Sequence, residues 1–361
     1  MEHTRILTYG FFFIATIVFS VLLNGLLLKF SQTLGIRNAK GPFIRWSEES
    51  KPSLGGISFY VIFLLSIIGY SFIGSESPIM GNHQFLGIVM ACSVAFLMGL
   101  ADDAYNTKPL LKFLVQVICS FILILSGIVI HIFPWLWADY LFTVFWIVGL
   151  MNSLNMLDNM DAITTCISIT IISAALLIIF LDHQIRTNMH VLLLLGILGS
   201  LTGFLYYNWH PSKLFMGDTG SQFLGVFLAS IGVLYFWNSS DSHGQQVQSK
   251  QFFVSILTFI IPICDTTAVV INRISRGKSP FIGGRDHTTH HLSYLGLSDR
   301  QVSISLTGIS LFSMVFTVLI ICFIKDWGYI HMVIFGLYFL LVFSLLLYIT
   351  KTSKPGPNAH K

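Results

Sequence analysis

Eleven long apolar runs constrain this chain more than any other feature. They lie at 6–30, 57–74, 85–101, 110–132, 140–157, 162–181, 190–207, 221–237, 252–274, 303–323 and 329–350. A run of about 20 apolar residues matches the ~30 Å hydrocarbon core of a bilayer, where each backbone polar group has to be satisfied within the protein. Only 10% of the residues are charged, against about 25% in soluble domains. The expected fold is therefore all-α: a polytopic membrane protein of about eleven transmembrane helices, forming one integral domain over 1–361. The first run is too long for a signal-peptide core and lacks a small-residue cleavage site after it, so the sequence predicts that it stays as a helix. All five Cys fall inside apolar runs without paired spacing, so neither a disulfide framework nor a zinc site is implied.

Lys and Arg in the loops predict the orientation. One set of loops, with the segment from 351 onward, carries thirteen: Arg37, Lys40, Arg45, Lys51, Lys108, Lys213, Arg276, Lys278, Arg285, Arg300, Lys351, Lys354 and Lys361. The opposite set carries Arg5, Arg186, Lys250 and Lys325. The richer side is expected to be cytoplasmic, with the N-terminus outside and the C-terminus inside. Loops 31–56, 102–109, 158–161, 208–220 and 275–302 then share the cytoplasmic face.

That face also collects acids. Asp102, Asp103, Asp158, Asp161, Asp218, Asp286 and Asp299 all fall on it, and Asp265 lies within the ninth run, nearer that side. In "FLMGLADDAYNTK" two carboxylates stand side by side at the end of an apolar run. Two like charges about 4 Å apart repel by about 4 kcal/mol at an effective dielectric of 20, so a compensating cation is expected. Short carboxylates on short connectors suit a hard divalent ion such as Mg²⁺, which takes oxygen ligands.

Three more clusters accompany the acidic pair. In "NSLNMLDNMDAITT", Asn152, Asn155 and Asp158 are spaced by three and predict one helix face, with Asp161 a further step on. Such a stripe is costly against lipid and has to face protein, water or ligand; Asn152 also suits a helix-to-helix hydrogen bond. In "KLFMGDTGSQFLG", glycines bracket Asp218 at the start of the eighth run, where close backbone approach and free N–H groups suit an anion or its metal. The loop "RISRGKSPFIGGRDHTTHHLSYLGLSDRQ" gathers Arg, Lys and three His and reads as an anion grip. Its His spacing lacks the i, i+4 pair of a zinc protease.

In this order the clusters resemble the polyprenyl-phosphate N-acetylhexosamine-1-phosphate transferase family, a glycosyltransferase family 4 type, over nearly the whole chain from "KPSLGG" to the His loop. "GLADD" resembles GLxDD, "NSLNMLDNMD" resembles NxxNxxDGxDG, and "FMGDTGS" resembles MGDxGS. "PICDTTAVVINRISRGKSPF" with "RDHTTHHL" resembles the ninth-helix Asp and HxHH loop of the undecaprenyl-phosphate N-acetylglucosamine-1-phosphate transferase-like branch. Two departures stand out. Asn159 and Ala162 replace the usual glycines, and Thr288 replaces the first loop His, with His287 just before it.

The resemblance implies transfer of N-acetylhexosamine 1-phosphate from a UDP-sugar, most simply UDP-N-acetylglucosamine, to undecaprenyl phosphate, releasing UMP. Its setting would be the bacterial inner membrane and a cell-envelope polysaccharide. Asp102, Asp103 and Asp218 are then the expected catalytic residues. Mg²⁺, with Mn²⁺ as a substitute, is expected on Asp218, Asp103 and Asp158. Asp102 would orient or deprotonate the lipid phosphate, and Phe215 would stack on uracil. Asn155, Asp158 and Asp161 would contact the nucleoside or its metal, while Arg285, His287, His290 and His291 would grip the diphosphate or sugar. Lys51, Lys108 and Lys112 would neutralise the lipid phosphate. Homodimerisation is implied by analogy alone, and no nucleic acid is expected as a partner. Phospho-N-acetylmuramoyl-pentapeptide transferase is the nearest alternative. A membrane transporter is the rival from another class, and would call for an internal repeat and midplane charges.

Overall fold

The computed structural model describes residues 2–33, 51–73, 81–181, 190–240, 246–279, 284 and 286–353. Arg285, most of the first loop with Arg37, Lys40 and Arg45, and Lys354 and Lys361 lie outside the described residues.

Among the described residues the chain is helical, apart from one isolated bridge between Ser53 and Phe215. The first helices are α1 (Glu2–Thr33), α2 (Gly55–Ile73), α3 (His83–Tyr105), α4 (Pro109–Leu125) and α5 (Leu136–Leu157). Next come α6 (Ile163–Leu181), α7 (His190–Asn208), α8 (Gly217–Gly232), α9 (Gln248–Thr258) and α10 (Ile260–Ser275). The series closes with α11 (Thr288–Tyr294), α12 (Asp299–Cys322) and α13 (Tyr329–Thr352). Nine helices of the described residues are long and apolar enough to cross a bilayer, or ten if the bent pair α9–α10 counts as one span. The chain is a multi-pass membrane protein.

The apolar runs map onto these helices with two differences. The fourth run forms a 17-residue helix that ends at Leu125, and Gly127 turns the chain at φ 82°. The segment beyond it is held by Asp139, whose Oδ1 accepts the N–H groups of Ile132 and Phe133 at 3.0 and 2.9 Å. The ninth run breaks into α9 and α10 with an 80° bend. Pro262 explains the break. It has no N–H to donate to the Thr258 carbonyl one turn back, and its ring crowds that carbonyl.

Local signals set the ends that matter. Asn82 caps α3 by accepting the Phe85 N–H at 2.9 Å. At its other end, Asn106 takes the left-handed conformation at φ 51° and its N–H reaches the Asp102 carbonyl at 2.8 Å, a stop for which Asn is suited. Pro109 opens α4, where a missing N–H costs nothing. Ser298 and Gln301 form a capping box at the start of α12.

Helix α8 is the axis of the bundle. All of its residues from Thr219 to Gly232 are buried, and it packs against α2, α3 and α5. Phe63 of α2 meets Phe223 edge-on at 5.3 Å, and the Trp146 indole N–H of α5 donates to the Ala229 carbonyl at 3.1 Å. Two glycines permit the close approach that aims the first turn of α8. A Cβ on Gly56 would stand 2.2 Å from the Gly220 nitrogen, and one on Gly99 would stand 2.3 Å from the Asp218 carbonyl oxygen. Neither position admits a side chain without moving backbone.

Candidate active site

The C-terminal ends of α3 and α5 and the N-terminal ends of α4 and α8 converge at one end of the bundle. Asp102 and Asp103 are adjacent in sequence, yet the structure gives them different tasks. Asp102 is buried. Its Oδ1 accepts the backbone N–H and hydroxyl of Thr107 at 2.9 and 2.5 Å, and its Oδ2 lies 2.7 Å from Lys112 Nζ. The same ammonium donates to Asp218 Oδ2 at 3.1 Å, and Asn155 Nδ2 donates to Asp218 Oδ1. Lys112 is thus the cation that offsets the acidic pair within the protein itself.

Asp103 faces the start of α8. Its oxygens accept the N–H groups of Asp218 and Thr219 at 3.0 and 2.8 Å, and the Thr219 hydroxyl at 2.6 Å. A carboxylate on the free N–H groups of a helix start is favourable through both hydrogen bonding and the helix dipole. Asp103 therefore fixes where Asp218 stands, a role that nothing in the local sequence shows.

The second motif also divides. Asn152 exchanges hydrogen bonds with Gln116 of α4 at 2.7 and 3.2 Å, and Gln116 continues to Gln222 of α8 at 3.1 Å. This buried amide chain is the helix-to-helix use that suits Asn152. Asn155 also donates to Ser221 Oγ at 2.8 Å. Asp158 is the residue after α5 ends, and its carboxylate makes no side-chain hydrogen bond to a described residue. Burial, and then the carboxylates of Asp218 and Asp103, push it well above the usual range.

Asp161 leaves the helix face that the spacing predicts, because α5 has already ended. It accepts the Ser212 N–H at 2.9 Å and hydroxyl at 2.7 Å, with His210 Nδ1 at 3.1 Å, so it pins the connection between α7 and α8. Ala162 follows at φ 64°, a left-handed conformation in which glycine is the unstrained choice. The segment "KPSLGG" lies alongside the third motif: Phe215 N–H donates to the Pro52 carbonyl at 2.9 Å, and Gly55 and Gly56 donate to Phe215 and Met216 at 3.0 Å each. Lys51 Nζ stands 5.5 Å from the Phe215 ring centroid and 3.4 Å from Ser212 Oγ. Lys108 is exposed at the start of α4 and makes no capping bond there.

The His loop is folded rather than open. Asp265 of α10 accepts from the Thr288 N–H at 2.7 Å and pairs with His287 Nδ1 at 2.9 Å. His291 Nδ1 lies 2.7 Å from Ser353 Oγ beyond α13. Arg273 forms a two-pronged pair with Asp286, with both contacts at 2.7 Å. Burial works to raise the Asp286 carboxyl, but the guanidinium overcomes it and holds the group below the usual range. His290 is pushed down to about 3, first by burial and then by His287, and burial lowers His291 as well. His290 is therefore neutral at pH 7, a hydrogen-bonding group and not a charge.

A depressed His has a definite consequence. Below its ordinary pKa of about 6.5 the unfolded chain takes up a proton that the folded chain refuses, so stability falls as pH falls towards about 3. The loss is up to about 1.4 kcal/mol per pH unit. Thermal unfolding in detergent between pH 7 and 5 should show this decline, and His290→Asn should flatten it. An identical pH slope in both proteins would contradict the buried neutral state.

The site residues thus form two groups. Asp102, Asp103, Lys112, Asn155, Asp158 and Asp218 belong to the converging helix ends, and His287, His290 and His291 belong to α11 and its cap. Among the described residues no three His, Cys or acidic side chains stand ready as a preformed metal cage. That donor set still suits Mg²⁺. The ion keeps several waters and is held by one or two carboxylates together with substrate phosphates, and Asp158 supplies an uncommitted carboxylate near Asp218.

The model of glycosyl transferase family 4 matches residues 85–236, which contain the three motifs that meet here. Over this stretch the chain is similar to glycosyl transferase family 4. Among known relatives it is similar to the probable undecaprenyl-phosphate N-acetylglucosaminyl 1-phosphate transferase of Bacillus subtilis, 27% identical over 70% of this chain and 69% of the relative. It is also similar to the phospho-N-acetylmuramoyl-pentapeptide-transferase of Listeria welshimeri, 27% identical over 88% of this chain and 98% of the relative. A third relative is the decaprenyl-phosphate N-acetylglucosaminephosphotransferase of Mycobacterium leprae, 26% identical over 70% of this chain and 68% of the relative.

Proposed function

We propose that this enzyme transfers N-acetylhexosamine 1-phosphate from a UDP-sugar, with UDP-N-acetylglucosamine as donor, to undecaprenyl phosphate, releasing UMP. The observation that carries this reading is the meeting of Asp102, Lys112, Asn155 and Asp218, drawn from four helices, at one end of an apolar bundle. Such a place joins a membrane-dissolved phosphate to a water-dissolved nucleotide. The names of the Bacillus and Mycobacterium relatives support an N-acetylglucosamine donor and a polyprenyl phosphate acceptor. The excess of Lys and Arg on this side supports a cytoplasmic site, and we assign it to the inner membrane of a bacterium.

In the proposed step an oxygen of the lipid phosphate forms a bond to the β-phosphorus of the UDP-sugar. The bond from that phosphorus to the bridging oxygen breaks, and UMP departs with the electron pair. A phosphate monoester has a second pKa of about 6 and is mostly dianionic at pH 7, so little base is needed. Asp102 then orients Lys112 towards the acceptor, and exposed Lys108 adds positive charge at the entry. Asp218 and Asp158, with Asn155 beside them, would hold Mg²⁺, which supplies charge neutralisation at the diphosphate. Asp103 acts through the first turn of α8. Phe215 stacks on uracil across the ring face opposite Lys51, and His290 donates to the diphosphate or sugar.

Membranes bearing the protein, given radiolabelled UDP-N-acetylglucosamine, undecaprenyl phosphate and Mg²⁺, should yield butanol-soluble label and free UMP. Chelation of the metal should stop both. The near-complete coverage of the Listeria relative favours one second reading, transfer from UDP-N-acetylmuramoyl-pentapeptide. Product from that donor alone would replace the N-acetylglucosamine assignment, and no lipid-linked product from either donor would reject the proposed function.

A further inference from the structure

We infer that Asn159 is a positioning residue that clamps the end of α5 to the His-bearing helix α11 and so sets the donor side of the cleft. The inference rests on the proposed function for the identity of the donor. Side-chain hydrogen bonds from several elements hold α11 in place, Ser293 to Asp299 of α12 at 3.4 Å among them. Asp265 binds its start from α10, and Ser353 binds His291 from beyond α13. Another comes from Asn159, whose Oδ1 accepts the Thr289 hydroxyl at 2.7 Å. Asn159 belongs to the segment that carries Asn155 and Asp158.

Both ends of the Asn159 carboxamide have a partner. Its Nδ2 donates to the Met156 carbonyl at 2.8 Å, and that acceptor decides the orientation of the amide: nitrogen towards Met156, oxygen towards Thr289. Thr289 is completely buried, so water does not substitute for Asn159 as its partner. Asp158 has no side-chain hydrogen bond to a described residue and lies in the turn that follows α5, next to Asn159. Thr289 is next to His290. This hydrogen bond therefore ties the segments of two groups assigned to the UDP-sugar to each other. The contacts of Asp102 and Lys112, assigned to the lipid phosphate, with Thr107, Asp218 and each other involve neither Asn159 nor Thr289.

Opening the clamp should weaken the donor and spare the acceptor. In purified enzyme, Thr289→Val removes the hydroxyl at nearly constant shape and Thr289→Ser retains it. Thr289→Val and Asn159→Ala should each raise the donor KM about fivefold, the worth of one neutral hydrogen bond, with the acceptor KM and kcat within about twofold of wild type. Thr289→Ser should stay close to wild type, and the double variant Asn159→Ala/Thr289→Val should be no worse than either single change. Equal effects of Val and Ser, a parallel rise in both KM values, or additive single effects would each overturn the clamp. If Thr289→Val does not fold, Asn159→Ala against Thr289→Ser gives the same decision. Wild-type turnover judges the proposed function, and the variant-to-wild-type ratios judge the clamp.

Discussion

Asp218→Asn lowers UMP release by at least about a thousandfold while the protein remains monodisperse in detergent; that is the expected result, because charge at the reacting phosphates is the largest lever in such a site. The carboxylate receives Lys112 on one oxygen and Asn155 on the other. An amide in its place has one acceptor and one donor, so its nitrogen has to face either another amide nitrogen or an ammonium, and the negative charge is gone. The fold should survive, because Asp103 holds the first turn of α8 through backbone N–H groups that the substitution leaves unchanged. Near-normal turnover would remove Asp218 from the reaction.

Lys112→Met should be the most destabilising change at the site. Lys112 lies 2.7 Å from Asp102 and 3.1 Å from Asp218, with side-chain exposures of 19%, 8% and 31% respectively. Removing the ammonium leaves a buried carboxylate without a counter-charge and two acids repelling each other, a loss of about 3–5 kcal/mol in comparable buried pairs. The double variant Lys112→Met/Asp102→Asn should recover much of that loss, since the stranded charge is then absent too. Thermal unfolding of the four proteins tests this, and strictly additive effects would show that the pair is not coupled.

The sequence displays these carboxylates because a membrane protein has little room for incidental charge. Every Asp at a helix end stands out against an apolar background, which is why the four clusters and the helical class are legible without coordinates. What is hidden is the partner. Asp103 finds its N–H donors 115 positions away, and Asp161 finds Ser212 at 51; no local pattern announces either. The i, i+3 spacing places Asn152 and Asn155 correctly but fails at Asp161, because the helix ends at Leu157. Pro262 is visible in the ninth run, yet the sequence alone does not say whether a proline tilts a span or folds it through 80°. Asn159 and Thr288 are readable only as departures from a motif. That Asn159 bonds to Thr289, the neighbour of Thr288, emerges only in three dimensions.

The contact between His291 and Ser353 bears on the order of biosynthesis. Ser353 follows α13, so every residue of the carboxylate cluster leaves the ribosome before the group that moors the His helix. An unfinished copy would carry the acidic half of the site without a secured imidazole half. The two halves of the site are thus both secured only on molecules whose thirteenth helix is in place.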